Sequence, residues 1–69
     1  PYRLYRDGIL FTEQAGRTRI VLTSPDGIVR YDATVETTPG SRIEWQATGV
    51  PAGLYIVRIG SHGEKGLVR

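Results

Sequence analysis

Sixty-nine residues make room for one small domain spanning residues 1–69. A chain this short buries only roughly 60% of the surface its unfolded form exposes, so it can own one thin core, and a deep enclosed active site is not expected. With 39% hydrophobic and 23% charged residues the chain lies outside the disordered range, and the absence of cysteine excludes disulfides, thiolate zinc sites and a cysteine nucleophile. Nine basic against seven acidic residues leave a charge of +2, too balanced for an electrostatic nucleic-acid binder. Eight of the nine cations are Arg and one is Lys65, which favours forked contacts to carboxylate, phosphate or sulfate; the plainer reading is that these arginines flank strands and cover them with their stems.

No apolar run approaches the roughly 20 residues of a membrane-crossing helix, and no signal-peptide pattern opens the chain. The chain lacks Met and begins at Pro1, which reads as a processed product or an excised domain.

Nine glycines and four prolines divide the sequence at short intervals, the rhythm of an all-β domain. Tyr2 to Tyr5 is a first short strand, Asp7-Gly8 a turn, and Ile9 to Glu13 a second strand, broken by Gln14-Ala15-Gly16. Arg17 to Ser24 is the clearest strand of the first half. Ser24-Pro25-Asp26-Gly27 then presents Pro at the second position of a type I turn and Gly27 where a positive φ is needed. Ile28 to about Thr37 returns. A three-residue loop at Pro25-Asp26-Gly27 sets Val21 opposite Tyr31 and Leu22 opposite Arg30, mixing apolar and charged residues on one face. Thr38-Pro39-Gly40 turns the chain into Arg42 to Ala47, a strand carrying Ile43 and Trp45 on one face, with Trp45 as core anchor.

Leu54 to Ile59 is the most β-prone run. Apolar at both parities, it is expected near the middle of a sheet with both faces partly covered. Gly53, directly before it, is expected to hold a conformation or a close approach that a β-carbon would disturb. Gly60 to Gly63 turns into a last strand, Glu64 to Arg69. About seven short strands and no helix longer than a turn give a small two-sheet antiparallel sandwich with an immunoglobulin-like layout.

Catalytic chemistry is sparse. His62 is the single histidine, beside Ser61 in a Gly-rich turn, where neighbours rarely aim at each other as nucleophile and base. Asp26 with Asp32 and Glu36 with Glu44 read as solvated strand-edge residues rather than a glycosidase pair. The glycines precede no helix, so no phosphate-cradling loop is expected, and Asp7-Gly8 and Asp26-Gly27 are turn residues rather than calcium ligands. Tyr2, Tyr5, Tyr31 and Tyr55 offer rings for sugars or bases, although a core this small needs most of them. No enzyme activity, cofactor, metal or nucleic-acid partner is expected.

Pro51, Gly53, Tyr55, Val57 and Ile59 form a Pro-x-Gly-x-Tyr-x-Val-x-Ile strand, followed by a Gly-containing turn and Lys65-Gly66-Leu67-Val68-Arg69. Together with Ile20-Val21-Leu22, Asp26-Gly27 and Ile28-Val29-Arg30, which match an apolar strand, turn and basic strand, this resembles the type A C-terminal sorting domain of type IX secretion system cargo proteins. Gln14-Ala15-Gly16 stands where such domains commonly carry Asn-Pro, and the tail has one lysine in place of a cluster. The resemblance implies a non-catalytic signal for an upstream cargo protein, read by the outer-membrane translocon of a Bacteroidetes-type bacterium. The cargo passes through the periplasm to the outside or the cell surface, and a sortase-like peptidase usually removes the domain as cargo joins lipopolysaccharide. The last two strands, with Lys65, Leu67, Val68 and Arg69, are then the expected recognition element. A fibronectin-like spacer and a small carbohydrate-binding module are the competing readings.

Overall fold

The computed structural model describes residues 2–13 and 16–68. Its elements run β1 (Tyr2–Leu4), β2 (Gly8–Phe11), β3 (Gly16–Thr23), β4 (Val29–Thr37), β5 (Arg42–Glu44), α1 (Trp45–Thr48), β6 (Gly53–Ile59) and β7 (His62–Val68). They form two antiparallel sheets, β1-β2-β5 and β4-β3-β6-β7. This is the expected all-β antiparallel sandwich of seven strands, three in one sheet and four in the other. No helix among the described residues is long and apolar enough to cross a membrane.

Period-two alternation fixes which side chains go inside. β3 turns Thr18, Ile20 and Leu22 inward, and β6 turns Tyr55, Val57 and Ile59 inward. Ile9 and Phe11 of β2 meet them from the opposite sheet, with Trp45 and Val68 closing the ends. Two buried threonines are satisfied internally: the Thr18 and Thr37 hydroxyls lie 3.3 Å apart, and Thr37 Oγ1 donates to the Gly16 carbonyl. β6 has strands on both sides, as expected of a central strand, but only one of its faces is covered. Leu54 and Ile56 are 46% and 43% exposed; a two-layer fold has no third layer to bury them.

Three local expectations are corrected. First, the β3–β4 register places Leu22 opposite Tyr31 and Val21 opposite Asp32, with a shift between Leu22 and Thr23. The turn itself is as expected: Gly27 N–H donates to Ser24 O, Ser24 N–H donates to Ile28 O, and Gly27 has φ 86°, a type I turn followed by a left-handed residue. Beyond it, Thr23 pairs with Val29 and Leu22 with Tyr31, so Arg30 is the extra residue of a bulge. That bulge lets the buried Leu22 face an aromatic ring instead of a guanidinium.

Second, the strand from Arg42 stops at Glu44, and Trp45 to Thr48 is a single helical turn. Gly49 ends it at φ 77° with its N–H on the Gln46 carbonyl, a left-handed helix terminus. Trp45 is the core anchor expected, 1% exposed, but it enters the core from this turn, which carries the chain from one sheet to the other. Its indole N–H donates to Tyr5 O at 3.1 Å and its backbone N–H to Asp7 O at 2.9 Å.

Third, the first hairpin turns at Arg6-Asp7, with reciprocal backbone bonds between Tyr5 and Gly8. Gly8 already belongs to β2, opposite Glu44. A β-carbon there would sit 2.2 Å from the Ile43 carbonyl oxygen, so the glycine permits a close approach of β2 to β5.

Candidate functional site

The Pro51-to-Ile59 motif acts as one unit. Tyr55 enters the core with 5% exposure while its hydroxyl donates to the Pro51 carbonyl at 2.7 Å, a tyrosine-corner arrangement. Val57 and Ile59 continue inward along the same face. Gly53 has φ +159°, a positive value that L side chains rarely adopt, while a β-carbon there would meet only the Tyr55 ring, at 3.8 Å; of the two expected reasons for this glycine, the backbone conformation holds and close packing does not.

The corner feeds the β6–β7 hairpin, whose two-residue turn is Gly60-Ser61. Gly60 takes φ 63° and Ser61 does not take a positive φ, as in a type II′ turn. His62 is the first residue of β7 rather than part of the turn. Lys65 lies on the outer face of β7 opposite Ile56, and Leu67, half exposed, lies opposite Leu54. Val68 is 4% exposed and belongs to the core, so it offers no side chain to a partner. Arg69 lies outside the described residues. Of the four positions expected to be read, Lys65 and Leu67 are therefore presented together.

Sequence spacing gave no sign of what lies beside them. β1 and β7 are edge strands of opposite sheets and meet across the open side of the sandwich. Tyr2 Oη donates to Glu64 Oε2 at 2.7 Å, His62 Nε2 lies 3.5 Å from the same oxygen, and the Tyr2 and His62 rings are tilted at 5.9 Å. Burial first, then the Glu64 carboxylate, push the Tyr2 hydroxyl pKa up to about 12. Leu4 packs onto Gly66, where a β-carbon would fall 2.9 Å from Leu4 Cδ2. These contacts join residues about sixty positions apart, which no local signal reveals.

Among the described residues, four of the chain's eight arginines turn their guanidinium groups on its own carboxylates. Arg19 holds Asp32 through Nε at 2.9 Å and Nη2 at 2.6 Å, keeping that carboxyl below the usual range. Arg42 meets Asp7 at 3.0 Å and lies over the Tyr5 ring, Arg17 faces Glu36 and Arg30 faces Asp26. Hydrogen bonds from Ser24 Oγ and then the Ile28 N–H lower Asp26 as well. Arg3, Arg6, Arg58 and Lys65 carry no ion pair among the described residues. Of the four tyrosines only Tyr5 is exposed, and they are spread over both sheets and the first turn, so they form no common stacking platform. Among the described residues no group of acids and histidine has metal-binding geometry.

Comparison with protein-family models, with curated proteins and with solved structures gave no match.

Proposed function

We propose that this chain is a non-catalytic sorting domain of the type IX secretion kind, which carries an attached cargo through the outer-membrane translocon and is read through its β6–β7 hairpin. The observation that carries this reading is the coupling of motif to surface. Pro51, Gly53, Tyr55, Val57 and Ile59 build and anchor β6, and β6 holds β7 with Lys65 and Leu67 turned outward. A disulfide-free sandwich of this size is a tag that folds by packing alone.

Fusion of the domain behind a secretable reporter, in a bacterium with a type IX system and in a strain lacking the translocon, tests it. Surface reporter in the first strain and retained reporter in the second is the expected result; equal retention in both contradicts the reading. A fibronectin-like spacer is the second reading, favoured by the tyrosine corner, which serves sandwich stability in many modules without any sorting role. A spacer gives retention in both strains.

A further inference from the structure

Four strands in this sandwich are sheet edges, and they are not equally guarded. β1 and β5 have three residues each. β4 is long but bulged near Arg30, and its charged side chains Arg30, Asp32 and Glu36 are held in ion pairs with Asp26, Arg19 and Arg17; short, bulged and charge-paired edges resist pairing with another chain. β7 has seven residues, a continuous register with β6, and glycines at 63 and 66.

The hairpin dictates which way its backbone faces. Residues flanking a two-residue turn, here Ile59 and His62, form a hydrogen-bonded pair, and bonded pairs then alternate along the ladder. The N–H and C=O groups of Gly63, Lys65 and Leu67 consequently point away from β6, and none of them makes another backbone hydrogen bond among the described residues. Hollows lie along the same strand. One of about 650 Å³ is bounded by Tyr2, Leu4, Ile59, His62 and Glu64, and one of about 390 Å³ by Leu4, Arg6, Leu54, Glu64, Lys65 and Leu67; the Glu64 carboxylate in both is engaged by Tyr2 and His62.

We propose that the free edge of β7 accepts an extended acidic segment of a partner protein, which pairs with the backbone of Gly63, Lys65 and Leu67, seats apolar side chains against Leu4 and Leu67, and sets a carboxylate against Lys65 and Arg6. Charge selects this occupant over a second copy of the chain. Antiparallel pairing of two β7 edges about Lys65 would set the two lysines opposite one another, and like charges directly opposite weaken strand pairs. Among the described residues Lys65 and Arg6 meet no carboxylate, so an incoming one completes them. Backbone pairing supplies affinity in this mode, and the alternate side chains supply selectivity.

The proposal rests on the reading of β7 as the recognised element, and its test uses purified protein so that the two fail separately. The probe is an acetylated, amidated seven-residue peptide alternating threonine and valine with aspartate at its centre; a matched peptide carries lysine there. Titration followed by amide NMR is expected to move and protect the Gly63, Lys65 and Leu67 amides, with the lysine peptide bound about tenfold more weakly. Lys65→Pro removes an outward N–H and no β6 bond, so it is expected to keep the fold and lose binding by about tenfold or more. Should Lys65→Pro unfold, Lys65→Glu reverses the preference between the two peptides. No shift at millimolar peptide, shifts confined to β4, equal binding of both peptides, or a peptide-free dimer through β7 each overturn the proposal. Lost binding with intact export overturns strand addition alone.

Discussion

The hydroxyl of Tyr55 donates a 2.7 Å hydrogen bond to the carbonyl of Pro51, four residues upstream. Its ring is at the same time packed among Ile9, Phe11, Trp45 and the other members of the core. The bond therefore pins the loop that enters β6 to the strand's first core residue. Tyr55→Phe keeps the ring and deletes the bond, so a loss of about 1 kcal/mol is expected, read as a fall of several degrees in Tm for a domain of this size. Tyr55→Ala opens the core as well and is expected to cost about 3 kcal/mol or more. Equal stability of the wild type and the phenylalanine variant would remove the corner from the account.

Two glycines make a contrasting pair. At Gly8 an added β-carbon meets the Ile43 carbonyl oxygen at 2.2 Å, a backbone atom held by pairing of β2 with β5. Gly8→Ala is expected to destabilise by about 1–3 kcal/mol through forced separation of the two strands. At Gly53 the nearest atom is a ring carbon at 3.8 Å, and the obstacle is instead a φ of +159° that side chains rarely adopt, so Gly53→Ala is expected to cost about 1 kcal/mol through backbone strain alone. Thermal melts of the two variants check the order; Gly53→Ala proving the worse of the two would contradict the packing described.

The ionisable contacts predict opposite limbs of the pH–stability curve. Asp32 titrates below its ordinary value because Arg19 hydrogen-bonds its carboxylate. The stabilisation is thus present above the unfolded-state pKa and lost as pH falls through the folded one. Both partners are largely solvated, so Asp32→Asn is expected to change neutral stability little and to flatten the acid limb. Tyr2 runs the other way. Its folded pKa is raised from 10.0 to about 12, so its contribution is complete below pH 10 and disappears as pH rises through about 12. Ultraviolet titration of the phenolates should show a late-ionising tyrosine that Tyr2→Phe removes.

Elements bounded by strong turn chemistry were legible in the sequence. Pro25-Asp26-Gly27 gave the hairpin loop, and the Pro51-to-Ile59 run gave a central strand, although its apolar residues at both parities masked that Leu54 and Ile56 face outward. Long-range geometry was not legible. The bulge at Arg30 is dictated by the need of Leu22 for an apolar neighbour across the ladder, a demand visible only when the pairing strand is known. Gln46-Ala47 preceding Gly49 was the available sign that the chain leaves β5 as a helical turn, and the aromatic Trp45 masked it, since aromatics favour strands. The β1–β7 seam rests on Tyr2 with Glu64 and Leu4 with Gly66, contacts set by how the two sheets stack. The expected recognition residues were grouped as one element, and the structure separates Leu67, outward, from Val68, inward, as period-two alternation requires of neighbours on a strand.

That separation supplies the most direct measurement of the central claim. A secretable reporter carrying the wild-type domain, the surface variant Lys65→Glu with Leu67→Ser, or the core variant Val68→Ala is expressed in a type IX-competent bacterium. Surface reporter is quantified beside the Tm of each purified domain. The account predicts that the surface variant keeps a near wild-type Tm and loses export, whereas Val68→Ala lowers Tm and exports in proportion to the folded fraction. Export of the surface variant at the wild-type level, with the fold intact, would contradict it.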